Sequence, residues 1–167
     1  VDADKIMFRV GIIGPESTGK SSLSRYLSKR YKGVLVPEYA REYIARRIEQ
    51  GKSKEVSYDQ VCEIAKHQIE EMERLAVLQP QLVFFDTELI VTKVWFDYAF
   101  GRVPEWLDEA IEKYPMDAYL LTKPDIPWQA DPTRYNGSDT MRQELFERYE
   151  SEIQALDIPY YIITHES

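Results

Sequence analysis

The fold is decided near the start of the chain by the stretch Gly14-Pro15-Glu16-Ser17-Thr18-Gly19-Lys20-Ser21 (GPESTGKS). This stretch matches the pattern G-x-x-x-x-G-K-[ST], whose glycines let the backbone curl until successive N–H groups face a phosphate. Such a loop needs a buried strand before it and a helix after it, because the helix N-terminus adds a partial positive charge. A β-branched run over residues 7–13 and helical apolar spacing over residues 21–31 supply both elements. The pattern therefore predicts a nucleoside-triphosphate site, with Lys20 on the β- and γ-phosphates and Ser21 on Mg²⁺.

The rest of the chain alternates between short apolar runs and helical patterns. Ser57, with Gln60 three residues later, forms a capping box that predicts the start of the clearest helix. Continuous apolar strands separated by helices are typical of a parallel sheet that is covered on both faces. We therefore predict that residues 1–167 form a single domain with a three-layer α/β/α P-loop NTPase fold and a five-stranded parallel sheet. Its strands are expected at residues 7–13, 34–36, 82–85, 118–121 and 160–163.

Composition limits the classes of partner. The chain has 21 Lys and Arg against 29 Asp and Glu, so its net charge is −8. An acidic surface argues against nonspecific binding to nucleic acid or to an anionic membrane. No apolar run approaches the roughly 18 residues needed to span a bilayer, and the lone Cys62 excludes an internal disulfide. We therefore expect a cytoplasmic protein with a small-molecule substrate, no nucleic-acid partner and no membrane partner.

Two carboxylates are expected at the carboxyl ends of strands, where ligands bind in open parallel sheets. Asp86 follows the apolar run at residues 82–85, the place where P-loop proteins carry the acid that holds Mg²⁺. A helix cap or a turn is the alternative role for Asp86. Glu38 follows the second strand, where a carboxylate can accept a proton from a substrate hydroxyl while Arg41 binds the substrate. The alternative is an acidic residue in the first turn of a helix, with Arg41 as its surface partner.

A long loop over residues 123–140 breaks the alternation, with three prolines and no periodicity up to residue 138. Loops of this length inside compact domains are usually lids or binding loops. Trp128 either stacks on a flat ring of a ligand or anchors the loop to the body of the domain. Arg134 and Arg142 either reach a transferring phosphoryl group or form surface ion pairs.

Four segments together resemble a known family: GPESTGKS, PEYAREY, VFFDTELIVTKVW and DAYLLTKPDIPWQADPTR. They are similar to the ribosylnicotinamide kinase domain of NadR-type NAD-biosynthesis proteins, within the P-loop kinase-like ATPases. The resemblance extends from about Phe8 to Thr164, and its more particular motifs are E-Y-x-R-E-Y and P-W-x-A-D. It implies transfer of the γ-phosphoryl group of ATP, with Mg²⁺, to the 5′-hydroxyl of nicotinamide riboside.

The resemblance also implies site residues. It puts Glu38, Arg41 and Asp86, with Tyr39 of the same motif, near the riboside and the metal. The residues it puts on the triphosphate are Gly14, Pro15, Glu16, Ser17, Thr18, Gly19, Lys20, Ser21 and Ser22. Those it puts in the lid are Trp128 and Asp131. The expected catalytic set is Lys20, Glu38, Asp86 and Arg134, and either carboxylate can be the base.

Two other functions stay open. Residues 122–125 (TKPD) fit the [NT]-K-x-D guanine-reading pattern, which indicates a GTP- or ATP-binding regulatory module. Its companion pattern D-x-x-G is absent, because residues 86–89 (DTEL) have no glycine to contact a γ-phosphate. A kinase of another nucleoside or small metabolite is the second alternative. The H-x-G-H-type motif of an adenylyltransferase is absent as well, so we expect any such domain to lie outside this segment.

Overall fold

The computed structural model describes residues 7–16, 18–125 and 139–165. Within this part of the chain, five strands alternate with helices much as the apolar pattern predicts. The elements are β1 (Phe8–Ile13), α1 (Lys20–Arg30), β2 (Val34–Val36), α2 (Tyr39–Glu49), α3 (Tyr58–Leu78), β3 (Leu82–Asp86), α4 (Leu89–Phe100), α5 (Glu105–Lys113), β4 (Ala118–Thr122), α6 (Asp139–Leu156) and β5 (Tyr160–Ile163).

The loop expected over residues 123–140 is shorter at its carboxyl end, because α6 begins at Asp139. The reason is that Asp139 and Thr140 belong to the first turn of a helix whose apolar pattern starts only at Met141. Trp128, Asp131 and Arg134, which are expected in the lid, lie outside the described residues.

All five strands run parallel, in the order β2-β3-β1-β4-β5. The central strand β1 pairs with β3 on one side and with β4 on the other. In this register Ile12 lies opposite both Asp86 and Leu120, so the three strands end at nearly the same level. The predicted three-layer fold with a five-stranded parallel sheet is confirmed.

The two helical layers are unequal. Helix α1 packs through Leu23 and Leu27 on one face of the sheet, against Val10, Ile12 and Phe84. Helices α3, α4, α5 and α6 contribute to the larger apolar core on the opposite face. After β1 the chain continues into α1 on one face of the sheet, and after the neighbouring strand β3 it continues into α4 on the other face. A crevice opens between the carboxyl ends of two such strands, and this crevice is where ligands bind in open α/β sheets.

The capping box predicted for α3 is formed. The backbone N–H of Ser57 donates to Gln60 Oε1 at 2.8 Å, and the backbone N–H of Gln60 donates to Ser57 Oγ at 3.3 Å. These two bonds satisfy backbone donors that have no partner inside the helix. Because α3 brings Val61, Ala65 and Met72 to the core, its start also sets the register of that packing.

We predict that Ser57→Ala lowers the free energy of unfolding by about 1 kcal/mol, because the side-chain acceptor at the helix start is lost. Urea denaturation at neutral pH measures the change. Ser151→Ala, the same substitution at an exposed position within α6, is the matched control and is expected to leave stability unchanged or slightly raised. Equal losses in the two variants would contradict the capping role.

Candidate active site

The loop after β1 has the backbone geometry that its glycines allow. Gly19 stands just before α1 with φ of 82°, a left-handed conformation that favours glycine. Gly14 lies directly against the end of β4: a Cβ added there would be 2.0 Å from Thr122 Oγ1 and 2.7 Å from the Thr122 carbonyl oxygen. Both positions therefore require glycine, one for conformation and one for space. The loop and the N-terminus of α1 lie at the carboxyl edge of the sheet.

Lys20 and Ser21 extend from the first turn of α1 to different parts of this edge. Lys20 Nζ donates to the carbonyl oxygens of Gly14 at 2.8 Å and Pro15 at 3.0 Å. Ser21 Oγ donates to Asp86 Oδ2 at 2.7 Å, so the acid that ends β3 meets the loop that follows β1. The Lys20 ammonium group therefore lies beside the loop, where it can exchange these carbonyl partners for the oxygens of a bound anion.

The donor set of Ser21 and Asp86 suits Mg²⁺. Mg²⁺ prefers oxygen ligands and is usually held by one or two protein groups, with phosphate oxygens and waters completing its shell. Across the described residues, no group of three or more His, Cys, Asp or Glu is arranged to hold a metal by itself. A metal at this position would therefore depend on oxygens from a bound phosphate.

Two clefts meet beside this loop. The first, the phosphate cleft, is bordered by the phosphate loop, the start of α1 and Asp86. The second, the apolar cleft, lies between α2, α4 and α6. Glu16, Glu38 and Arg41 line both clefts. A group bound in one cleft would thus adjoin a group bound in the other.

Glu38 stands where the two clefts join. It is the residue before α2, and its side chain makes no capping hydrogen bond to that helix. Burial raises the pKa of its carboxyl from 4.5 to about 7. The positive charges of Lys20 and Arg41 lower this pKa, and the negative charges of Asp86 and Glu16 raise it. A carboxyl that changes charge near neutral pH is suited to accept a proton.

The apolar cleft is lined largely by side chains that the sequence patterns did not single out. Val91, Trp95 and Tyr98 come from α4, and Leu145 and Tyr149 come from α6. Val91, Trp95 and Tyr98 recur at the spacing of a buried helix face, so this pattern alone cannot separate cleft lining from core. Burial raises the pKa of the Tyr149 hydroxyl, and the charges of Glu16 and Glu38 raise it further. Tyr149 therefore lies close to both carboxylates.

The structure brings together most of the other expected site residues. Ser22 lines the phosphate cleft beside Lys20 and Ser21. Thr18 lines the same cleft, although its hydroxyl turns inward to Pro15 and Thr122. Ser17 lies outside the described residues.

Two expected residues are engaged elsewhere. The ring of Tyr39 stacks on His67 with centroids 3.6 Å apart and lines a separate cavity between α2 and α3. Asp125, of the guanine-reading pattern, accepts a hydrogen bond from the backbone N–H of His165 at 3.1 Å. Neither residue lines the phosphate cleft or the apolar cleft.

A family model described as an AAA domain matches residues 9–167. The chain belongs to this AAA-domain family. The trifunctional NAD biosynthesis/regulator protein NadR of Escherichia coli (strain K12) is 27% identical over 135 residues, which are 81% of this chain and 33% of that protein. This match confirms the resemblance to NadR-type proteins. The chain spans about a third of the length of the curated relatives it matches.

Solved structures share the fold of this AAA-domain chain. A NadR protein in complex with NAD and AMP-PNP has a TM-score of 0.75 and 22% identity, covering 97% of this chain and 46% of that chain. A NadR protein in complex with NR has a TM-score of 0.73 and 24% identity, covering 94% and 43%. Thymidylate kinase from Ehrlichia chaffeensis has a TM-score of 0.66 and 15% identity, covering 96% and 88%. The P-loop kinase-like fold is therefore confirmed.

No helix in the described ranges combines the length and hydropathy that a membrane crossing requires.

Glu88 is a second buried carboxyl at the edge of the site. It is the capping residue before α4, and its side chain accepts a hydrogen bond from the backbone N–H of Ile90 at 3.0 Å. Burial raises the pKa of Glu88 from 4.5 to about 7, and hydrogen bonds from Ile90 and Tyr119 counteract part of this rise. The folded protein therefore keeps the Glu88 proton at a pH where the unfolded chain has released it. The contribution of Glu88 to stability therefore falls as pH rises from about 4.5 to about 7 and is constant above that range.

We predict that Glu88→Gln removes this part of the pH dependence, because an amide stays neutral. Relative to the unaltered chain, the variant is expected to be similarly stable at about pH 5 and more stable at about pH 8, by on the order of 3 kcal/mol. Chemical denaturation at both pH values measures the difference. Glu112→Gln, at an exposed position of α5, is the control and should show no such change. A stability difference that does not depend on pH would exclude the raised pKa.

Proposed function

We propose that this chain is an ATP-dependent small-molecule kinase whose acceptor is a nucleoside, with nicotinamide riboside as the specific acceptor. The observation that carries the proposal is the meeting of the phosphate cleft and the apolar cleft at Glu38. A kinase must hold a phosphoryl donor and an acceptor hydroxyl side by side, and it must exclude water from the transfer. A module that only binds nucleotide has no need of the second cleft.

The donor side is assigned to ATP. The loop N–H groups and the N-terminus of α1 would hold the β-phosphate, and Lys20 would turn from the carbonyls of Gly14 and Pro15 to the β- and γ-phosphate oxygens. Ser21 and Asp86 would hold Mg²⁺, which neutralises charge on the phosphates when it is bound. The complex of a NadR protein with AMP-PNP supports ATP as the donor.

The acceptor side is assigned to the apolar cleft. Its aromatic side chains, Trp95, Tyr98 and Tyr149, suit a flat ring, and Arg41 suits the hydroxyl groups of a sugar. The complex of a NadR protein with NR supports nicotinamide riboside as that acceptor. Because the curated relatives are about three times longer than this chain, an adenylyltransferase domain outside this segment also stays a prediction.

In the proposed reaction the 5′-hydroxyl oxygen forms a bond to the γ-phosphorus while the bond from that phosphorus to the bridging oxygen of ADP breaks. The hydroxyl proton goes to the Glu38 carboxylate, and ADP leaves with its negative charge facing Lys20. Glu38 is preferred to Asp86 as the proton acceptor, because Asp86 accepts from Ser21 at 2.7 Å and belongs to the metal side. Phosphoryl transfer depends mainly on positioning and charge neutralisation, so the base supplies only part of the acceleration.

We predict ADP release that depends on nicotinamide riboside when the chain is incubated with Mg²⁺ and ATP beside a panel of other ribosides and deoxyribosides. Coupled ADP detection and product mass measure the transfer. Lys20→Ala should lower kcat/KM by at least about 100-fold, a typical cost of losing a group that stabilises transition-state charge. Lys29→Ala, an exposed lysine of the same helix, is the matched control. Preference for another riboside would replace the assigned acceptor, and nucleotide binding with no acceptor-dependent turnover would favour the regulatory module.

We predict that kcat/KM for the acceptor rises with pH through about 7 in the unaltered chain, because Glu38 must lose its proton before it can accept another. Glu38→Gln should lower kcat by about 100-fold, within the range for general-base catalysis, and should flatten the profile. Initial rates across pH measure both effects. Glu49→Gln, at the exposed end of α2, should keep the profile of the unaltered chain. A profile in Glu38→Gln that still rises near neutral pH would transfer the role to another group.

A further inference from the structure

Thr122 is a residue of the TKPD pattern that the proposed function does not use. It ends β4, and only 1% of its surface is exposed. Its Oγ1 lies 2.5 Å from Oγ1 of Thr18 in the phosphate loop, and Thr18 Oγ1 donates to the Pro15 carbonyl oxygen at 2.8 Å. A chain of hydroxyl groups therefore runs from a sheet strand into the loop.

The Thr18 hydroxyl reaches the Pro15 carbonyl oxygen at 2.8 Å, and the Thr122 hydroxyl also contacts the Ile13 carbonyl oxygen at 3.4 Å. Either hydroxyl can donate in the bond between Thr18 and Thr122, and in both arrangements this bond of 2.5 Å joins the two side chains. Thr122 thereby holds Thr18 in the rotamer that reaches Pro15.

The backbone of the loop is also fitted to Thr122. The space that a Cβ at Gly14 would need is filled by Thr122 Oγ1 at 2.0 Å and by its carbonyl oxygen at 2.7 Å. Gly14, the first glycine of the loop, and Thr18, the residue before Gly19, therefore both contact Thr122. The contact at Gly14 does not involve the hydrogen bonds of Thr18, and Gly14 lies at the opposite end of the loop.

Lys20 gives these contacts a consequence for ligand binding. Lys20 Nζ donates to the carbonyl oxygens of Gly14 and Pro15 and so helps to hold the curved backbone of the loop. A lysine that turns to phosphate oxygens gives up some of these bonds. When Lys20 turns to the phosphate, the hydrogen bonds of Thr18 and Thr122 still hold the Pro15 carbonyl group in place, so that the loop N–H groups can face the phosphate.

We propose that Thr122 is a positioning residue for the nucleotide: through Thr18 and Gly14 it sets the curl of the phosphate loop. The proposal rests on the nucleotide-binding half of the proposed function and is independent of the acceptor. In this role the threonine of the TKPD pattern supports the phosphate loop and does not recognise a base. It acts through the loop and does not touch the phosphate itself.

The test compares Thr122→Val, which keeps the shape and removes the hydroxyl, with Thr122→Ser, which keeps the hydroxyl. Calorimetric titration of the full chain with ADP and Mg²⁺ measures the dissociation constant directly, without need of an acceptor. Thr122→Val is expected to weaken binding by about 10-fold, within the range for a buried hydroxyl left without its hydrogen-bond partner. Thr122→Ser is expected to stay within about 2-fold of the unaltered chain. With an active acceptor, KM for ATP should rise in Thr122→Val while KM for the acceptor stays constant.

Each outcome decides a different point. Equal affinities in Thr122→Val and the unaltered chain would overturn the positioning role and leave the proposed function intact. Equal losses in Thr122→Val and Thr122→Ser would assign the effect to packing and would also overturn it. If the unaltered chain bound no nucleotide, the proposed function would fail first. Where thermal melting shows that Thr122→Val does not fold, Thr122→Ala takes its place, because it differs from Thr122→Ser only by the hydroxyl and is expected to weaken binding by the same factor.

Discussion

The parallel pairing of β1 with β3 is the constraint on which the site depends. Because Ile12 lies opposite Asp86, the loop that follows β1 and the acid that ends β3 begin at the same level of the sheet. The first turn of α1 then brings Ser21 Oγ to within 2.7 Å of Asp86. A register shift of one residue would turn Asp86 to the opposite face of the sheet, since alternate residues of a strand point to opposite faces.

The phosphate cleft must attract an anion although the protein as a whole is negatively charged. The chain carries a net charge of −8, and Glu16, Glu38 and Asp86 border the cleft assigned to a triphosphate. Burial raises the pKa of Glu38, the charges of Asp86 and Glu16 raise it further, and the charges of Lys20 and Arg41 lower it. Groups that can attract an anion there at close range include the loop N–H groups, the N-terminus of α1 and Lys20. The acidic surroundings agree with the proposal that Mg²⁺ accompanies the nucleotide.

Helices α4 and α6 serve the core and the apolar cleft at the same time. Ile90, Val94 and Phe96 of α4 pack in the core, whereas Val91, Trp95 and Tyr98 line the cleft. In helix α6, Phe146 and Ile153 pack in the core, whereas Leu145 and Tyr149 belong to the core and also line the cleft. Packing that stabilises the fold therefore also fixes the walls of the site, and a substitution on either face acts on both.

The sequence by itself determined the alternation of strands and helices, the phosphate loop and the acid after the third strand. These features are local: glycines, capping residues and apolar runs act on neighbours a few residues away. Only the tertiary structure decided that Glu38 joins two clefts, that Trp95 and Tyr149 face the second of them, and that Thr122 supports the loop. These facts depend on strand order and helix packing, which bring together residues as far apart as Thr18 and Thr122. An apolar helix face has the same spacing whether it meets a core or borders a cleft, so no local pattern separates the two.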